Sequence, residues 1–139
     1  MSRPVNYADR YADNWQNTAD RTRKLTRDRC SRCWRRQAKE VHHVRYSRRS
    51  LFRNRPIAGH EIPGWDVFAL CGSARQNTGC HGRSHRKDVW IRDRRNPKLL
   101  NRNKPGFARA LFWRCWLLVL VQRGWWSVPI GLVVWLAVN

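Results

Sequence analysis

The sequence predicts a small α+β domain in which two short strands are followed by a short helix. Its 139 residues suffice for one small domain with arms, and not for two independent cores. Two segments have the length of strands: 41–44, which has a β-branched residue at each end, and the apolar 65–70. The connection between them carries several Pro and Gly residues. His81 and His85 lie four residues apart, so on a helix they share one face. We therefore expect a strand–strand–helix unit with an N-terminal helical arm and a hydrophobic C-terminal helix or extension.

The charge of the chain is strongly positive. It contains 29 Lys and Arg against 9 Asp and Glu, a formal net charge of +20 at pH 7, and 24 of the cations are arginines. Such self-repulsion favours an anionic partner, and a planar guanidinium binds phosphate bidentately where an ammonium cannot. A merely solubilising surface is the weaker interpretation, because such surfaces mix the two signs and favour Lys. We expect DNA as the partner, with RNA as the second candidate.

Five cysteines occur in a chain whose first eleven residues are polar and charged, unlike a secretory signal. We therefore expect a cytoplasmic protein with reduced thiols. Four of the cysteines form the pairs Cys30-x2-Cys33 and Cys71-x8-Cys80. Two thiolate pairs can close a tetrahedral structural zinc site, although two disulfides or buried free thiols stay open as alternatives. Cys115 lies in an apolar run that is typical of an ordinary buried thiol.

Four histidines accompany these cysteines. His42 and His43 lie on the first predicted strand, and His81 and His85 lie on the predicted helix. Imidazoles from a strand and from a following helix can hold a second, open cation. Because neighbouring strand residues point to opposite faces, His42 and His43 are expected to have different tasks, one as a ligand and one as a base. An isolated His-His pair is more often structural or solvent-exposed, and the flanking cysteine pairs reverse that preference.

The order of these motifs resembles that of the HNH endonuclease family, which has the ββα-metal fold. The resemblance spans residues 30 to 86 and rests on Cys30-Ser-Arg-Cys33, Lys39-Glu-Val-His-His-Val44, Phe68-Ala-Leu-Cys71 and Cys80-His81. Two departures stand out. The second cysteine pair has eight intervening residues where the family more often has a short knuckle. In addition, Asp66 stands where the family usually has Asn.

The resemblance implies hydrolysis of DNA phosphodiester bonds with one divalent ion, Mg2+ or Mn2+ or a similar ion. It implies His43 as the general base and His42 and His81 as ligands of the catalytic ion. His85 would complete the metal and phosphate contacts, and Asp66 would accept a hydrogen bond from Nδ1 of His43. The arginines expected to contact nucleic acid are Arg45, Arg48, Arg49, Arg83 and Arg86. The structural zinc would be held by all four paired cysteines, with His81 in place of Cys80 as an alternative.

The remaining segments flank this predicted ββα-metal domain. The expected organisation is a basic helical N-terminal arm over 1–29, the HNH domain with its zinc site over 30–88, a basic linker over 89–106 and a hydrophobic C-terminal extension over 107–139. In the arm, Tyr7, Tyr11 and Trp15 share one helical face, which is typical of packing. The residues that follow, 18–29, are expected to form a solvated helix that faces phosphate. Residues 88–104 are basic and are expected to be irregular.

The hydrophobic extension is expected to pack on the domain. We predict a helix over Phe107–Gln122, a turn at Gly124 and a β-like end. Membrane attachment through this tail is less favoured, because Arg123 falls where a span needs apolar surface and the longest uninterrupted apolar run is short. Two further functions stay open: a non-catalytic zinc-knuckle module that binds nucleic acid, and a membrane-associated basic protein.

Overall fold

The computed structural model describes residues 14–47, 51–52, 55–56, 61–86, 88–92 and 99–123, together with Leu132 and Leu136. Their elements are α1 (Trp15–Leu25), β1 (Glu40–His43), β2 (Arg45–Ser47), β3 (Leu51–Phe52), β4 (Arg55–Pro56), β5 (Val67–Leu70), α2 (Gly79–His85), β6 (Asp88–Arg92), β7 (Leu99–Asn103) and α3 (Pro105–Arg123). The predicted mixture of helices with short strands is confirmed, and the described strands pair antiparallel.

The centre of the fold is the antiparallel pair of β1 and β5. Glu40 lies opposite Leu70 and His43 lies opposite Val67. All four residues of β5 are buried, because α1 and α2 both pack against this strand and against β1. A strand that is covered on both faces has consecutive apolar residues, which explains the sequence Val-Phe-Ala-Leu. The predicted order of strand, strand and helix is therefore present in β1, β5 and α2.

A second, three-stranded sheet has the order β2–β7–β6. It corrects the expectation that residues 88–104 are irregular, since two strands, β6 and β7, form within this range. Neither the composition nor the alternation of Leu99–Asn103 indicates a strand. The strand forms through distant pairing: Arg45 lies opposite Asn101, and the N–H of Arg102 donates to the carbonyl of Val44 at 2.8 Å. Residues 93–98 lie outside the described residues.

Helix α1 is shorter and more buried than the sequence suggested. It ends at Leu25, and its inner face carries the small buried residues Thr18, Ala19 and Thr22. The Thr22 hydroxyl donates to the carbonyl of Thr18 at 2.7 Å, so its burial leaves no polar group unsatisfied. The expectation of a solvated helix is therefore wrong for one face of α1, because the small residues on that face let it approach the β1–β5 pair. Tyr7 and Tyr11 lie outside the described residues.

Helix α3 packs on the rest of the domain, as predicted for residues 107–122. Its buried side chains include Leu111, Phe112 and Cys115, which join the core formed by β5 and the cysteine loops. The indole N–H of Trp116 donates to the carbonyl of Gly64 at 3.2 Å. Among the described residues, no helix combines the length and the apolar character that crossing a membrane requires. The predicted turn at Gly124 and the end of the tail lie outside the described residues.

The packing of α3 predicts opposite results for two neighbouring aromatic residues. Phe112 is 2% exposed within the core, whereas Trp113 is 49% exposed on the outer face. Phe112→Ala should lower the free energy of unfolding by about 3–5 kcal/mol, because it leaves a cavity between α3 and Trp65. Trp113→Ala should change it by less than about 1 kcal/mol. Denaturant unfolding of both variants tests this; equal losses would show that α3 does not pack through Phe112.

Candidate metal centres

Four sulfur atoms meet at one point of the core. The Sγ atoms of Cys30, Cys33, Cys71 and Cys80 all lie within 4.8 Å of one another, and all four thiols are free. The Sγ atoms of Cys33 and Cys71 are 3.8 Å apart, far longer than a disulfide bond of about 2.05 Å. Four sulfurs at about 2.3 Å from one zinc ion, at the corners of a tetrahedron, would lie about 3.8 Å apart. This cluster, which we call the sulfur cluster, therefore has the dimensions of a zinc site.

The first cysteine pair lies in a tight loop after α1. Its backbone is tied to β5 by the N–H of Ser31, which donates to the carbonyl of Ala69 at 2.9 Å. Burial acts to raise the pKa of Cys33, but the backbone N–H groups of Arg36 and Arg35 outweigh it and lower that pKa to about 7. Backbone amides that stabilise a thiolate also stabilise it as a metal ligand.

The other thiols are more strongly desolvated. Burial raises the pKa of both Cys30 and Cys80. A cation bound by these sulfurs must therefore displace protons from them, which makes binding dependent on pH.

The second cysteine pair closes an unusually long loop between β5 and α2. Gly72 and Gly79 have positive φ angles of 84° and 62°. A Cβ on Gly72 would lie 2.2 Å from the carbonyl oxygen of Thr78. The loop can therefore bring its ends together only through glycine at these positions. This geometry explains how a pair separated by eight residues still places Cys71 and Cys80 in one cluster.

Three imidazoles form a second cluster, which we call the histidine cluster. His42 on β1 and His81 and His85 on α2 place their ligand nitrogens within 4.8 Å of one another. The Nε2 atoms of His81 and His85 are 3.1 Å apart. Two nitrogens bound to one ion at about 2.1 Å lie roughly 3.0–3.4 Å apart. The predicted ligands of the catalytic ion are therefore brought together.

The outer nitrogens of this cluster have defined partners. The Nε2 of His42 lies 2.7 Å from Oδ1 of Asn103, and the Nδ1 of His81 lies 2.7 Å from Oε2 of Glu40. Glu40 also accepts the N–H of Ala74 from the loop of the second cysteine pair. Such partners orient a ligating imidazole and set which nitrogen carries the hydrogen.

Within the part of the chain that the structure describes, one buried nitrogen of the histidine cluster has neither a hydrogen-bond partner nor a carboxylate within ion-pair distance. It is Nδ1 of His42, a residue that is 1% exposed. Burial lowers the pKa of His42, and it lowers the pKa of His81 to about 4, so both rings are neutral near pH 7. Neutral imidazole is the form that binds metal. A buried acceptor without a donor costs about 1–3 kcal/mol, and a divalent ion would satisfy it. The residues present therefore fit a divalent metal ion.

His43 faces the other side of β1. Its ring is stacked between Trp15, at a centroid distance of 4.7 Å, and Tyr46, at 4.6 Å. Its Nε2 lies 3.5 Å from Oε1 of the buried Glu61. Burial lowers the pKa of His43, and Glu61 partly offsets this. His42 and His43 therefore face opposite sides of β1, and only His42 joins the histidine cluster, while their division into a ligand and a base stays a prediction.

Asp66 does not occupy its expected position. Its Oδ2 accepts the N–H of Ile62 at 3.0 Å, because Asp66 lies in the turn before β5 and its side chain folds back over that turn. Among the described residues, the carboxylate within ion-pair distance of His43 is that of Glu61. The expected contact between Asp66 and Nδ1 of His43 is therefore replaced by a contact between Glu61 and Nε2.

The predicted nucleic-acid contacts have different surroundings. The guanidinium of Arg45 lies 4.0 Å above the ring of Trp65 and donates to its backbone carbonyl at 2.7 Å, which gives Arg45 a role inside the domain. Arg83 is exposed and donates to Sγ of Cys80 at 3.4 Å. Arg86 is exposed after the end of α2.

Arg48 and Arg49, also predicted to contact nucleic acid, lie outside the described residues. Sequence reasoning missed four residues around the two histidine faces: Glu40, Glu61, Arg102 and Asn103. A signal existed for Glu40, since it lies two residues before His42 on a strand and therefore shares its face.

Comparisons of the chain with protein-family models, curated proteins and solved structures found no match. The chemistry is therefore inferred from the two clusters themselves.

The sulfur cluster predicts one tightly bound zinc ion per chain. Cys71→Ser should abolish zinc binding and unfold the domain, because a structural zinc site contributes folding free energy directly. Cys115→Ser is the matched control: its thiol is equally buried but lies outside the cluster. It should keep the zinc and cost about 1–3 kcal/mol for the buried hydroxyl. Elemental analysis and thermal unfolding give the answer; a folded, zinc-free wild-type chain would refute the site.

The buried carboxyl of Asp66 predicts that Asp66→Asn stabilises the protein and that the size of this gain depends on pH. Burial raises its pKa from 3.8 to about 6, so the folded chain holds a proton that the unfolded chain releases between these values. The contribution of Asp66 to stability therefore falls as pH rises through this window and is constant above it. Asp66→Asn has no charge to bury and should be more stable than wild type at pH 8, by on the order of 2–3 kcal/mol.

The gain from Asp66→Asn should shrink as the pH is lowered towards 4, where the wild-type carboxyl is protonated. Denaturant unfolding of both proteins at several pH values measures the difference directly. A difference that stays constant with pH would contradict the assignment of the raised pKa to this carboxyl.

Proposed function

We propose that the chain is a metal-dependent endonuclease of the HNH type, which hydrolyses DNA phosphodiester bonds. One observation carries the proposal: two clusters of different chemistry lie in one small domain. Four sulfurs saturate a tetrahedral ion and leave no position for substrate, whereas three imidazoles leave positions open. A closed site beside an open one suits a structural ion and a catalytic ion.

The histidine cluster defines where the reaction would occur. His42, His81 and His85 would hold a divalent ion, and Glu40 and Asn103 would orient two of these rings. When bound there, such an ion supplies charge neutralisation at the phosphate and at the leaving oxygen. The succession of β1, β5 and α2, with His42 on β1 and His81 and His85 on α2, supports the ββα-metal resemblance.

His43 would act as the general base on water. A carboxylate only accepts hydrogen bonds, so Glu61 beside Nε2 favours the neutral tautomer with its hydrogen on Nε2. The lone pair is then on Nδ1, where His43 would accept the proton of a water molecule. Trp15 and Tyr46 hold the ring between them and fix its plane. The distance of 3.5 Å to Glu61 is long for a hydrogen bond, as catalytic hydrogen bonds often are before substrate binds.

The positive charge would hold the substrate. With a net charge of +20, the chain binds a polyanion mainly by neutralising phosphates. The exposed Arg83 lies on α2, which also carries two residues of the histidine cluster, and the exposed Arg86 follows directly after that helix. A phosphate held by them would lie near that cluster.

A second function has one observation in its favour. His43 is buried between two aromatic rings and stays outside the histidine cluster. This arrangement also suits a non-catalytic zinc module that binds nucleic acid, in which His43 serves packing alone.

Plasmid nicking with added Mg2+, Mn2+, Ni2+ or Co2+ separates the two functions. His43→Ala should lower the cleavage rate by about 100-fold or more, because a general base contributes on this scale. His42→Ala should weaken binding of the divalent ion, so a higher ion concentration should restore part of its activity. The same increase should restore none of the activity of His43→Ala. DNA binding of both variants, measured by fluorescence anisotropy, should stay within about twofold of wild type.

Glu61→Gln tests whether Glu61 sets the tautomer and orientation of the His43 ring. An amide can also donate to Nε2, so it no longer enforces the tautomer, and the cleavage rate should fall while zinc content stays unchanged. Wild-type protein that binds DNA and cuts it with none of the four ions would refute the enzyme and leave the binding module.

A further inference from the structure

The hydrogen positions in the histidine cluster follow from its outer contacts. A guanidinium of Arg102 donates to Nδ1 of His85 at 2.7 Å, and arginine has no acceptor. Nδ1 of His85 must therefore accept, and the hydrogen of the neutral ring is on Nε2. That hydrogen points to Nε2 of His81 at 3.1 Å. Nδ1 of His81 in turn faces the carboxylate of Glu40, so Nε2 of His81 carries the lone pair.

This arrangement leaves the three rings unequal as ligands. Nδ1 of His42 and Nε2 of His81 offer lone pairs to an ion, whereas Nε2 of His85 carries a hydrogen. His85 can become the third ligand through Nε2 only when its hydrogen moves to Nδ1. While Arg102 donates to Nδ1, that position is blocked. The guanidinium also brings a positive charge next to the place of the ion.

Arg102 can be drawn away by an anion. Its backbone is fixed by the bond of its N–H to the carbonyl of Val44, but the side chain is only half-buried. The guanidinium also donates to the hydroxyl of Tyr46 at 3.3 Å, and the ring of Tyr46 stacks on His43. A guanidinium forms shorter and stronger, bidentate hydrogen bonds with phosphate than with a neutral imidazole. Arg102 thus lies between the histidine cluster and the proposed base, where a substrate phosphate would be.

We propose that Arg102 binds a phosphodiester group and thereby couples phosphate binding to metal binding. Without phosphate, Arg102 keeps His85 in the tautomer that cannot ligate through Nε2. With phosphate bound, the guanidinium leaves His85. The hydrogen on Nε2 of His85 is then replaced, through exchange with solvent, by one on Nδ1. Nε2 of His85 can now bind the ion as the third ligand atom. Coupling of this kind is reciprocal, so the ion strengthens phosphate binding by the same factor. The inference deepens the proposed function by naming a phosphate-binding residue of the same site.

Calorimetric titration of Ni2+ into the zinc-loaded protein measures the coupling without any cleavage. Wild type should bind Ni2+ weakly, and dimethyl phosphate should tighten binding roughly tenfold over chloride at the same ionic strength. Arg102→Met lacks the donor and the charge, so it should bind Ni2+ tightly without phosphate and gain little from dimethyl phosphate. Arg109→Met is the control, since it removes the same charge from an exposed position on α3 and should behave as wild type.

Nitrogen NMR of His85 keeps the proposal testable if Arg102→Met fails to fold. In the wild-type protein with only the structural zinc, Nε2 of His85 should carry the hydrogen; with a second zinc equivalent and dimethyl phosphate, Nδ1 should carry it. Equal Ni2+ affinities for wild type and Arg102→Met, or a hydrogen on Nδ1 from the start, would overturn the proposal. Both readouts are independent of plasmid nicking, so coupling without cleavage would refute the proposed function alone, and cleavage without coupling would refute only the role of Arg102.

Discussion

The convergence of four cysteine sulfurs is the interaction on which the rest of the fold depends. Cys30 follows α1, Cys71 follows β5 and Cys80 lies in the first turn of α2, so one point of the core joins three elements. The same cysteines lie in the core beside Phe68 and Leu70. Short strands and a seven-residue helix bury little apolar surface by themselves. A bound ion would hold them together at the place where that surface is scarce.

The sulfur cluster also places the histidine cluster. Glu40 accepts a hydrogen bond from Ala74, in the loop between Cys71 and Cys80, and faces His81 one residue after Cys80. The orientation of the His81 ring is thus connected to the shape of the long cysteine loop. A change in the conformation of that loop is expected to move Glu40 and thereby alter the orientation of His81 in the histidine cluster.

The two faces of β1 separate two kinds of chemistry. His42 faces α2 and the other imidazoles, whereas His43 faces α1 and lies between aromatic rings. The alternation of a strand would let the proposed ligand, His42, and the proposed base, His43, be neighbours in sequence without competing for one ion. Arg102 connects the two faces, because it contacts both His85 and the hydroxyl of Tyr46.

Local spacing predicted much of the two clusters. Cysteine pairs, the four-residue spacing of His81 and His85 and the alternation of His42 and His43 are each set by geometry within a few residues. Contacts set by distant packing were not predictable in this way. Glu61 and His43 are distant in sequence and meet only in the folded chain, and β7 forms by pairing with β2 on one side and β6 on the other. The small side chains of α1 carried no apolar signal, although they are what lets the helix pack closely.

X-ray absorption at the metal edges tests the central claim, that one small domain holds two metal centres of different chemistry. With one equivalent of zinc, the account predicts a shell of four sulfurs at about 2.3 Å and no imidazole. Nickel added to this zinc-loaded protein should show only nitrogen and oxygen neighbours, with imidazole scattering. A zinc shell that mixes sulfur with nitrogen, or nickel bound by sulfur, would contradict the separation of the two sites on which the proposed function rests.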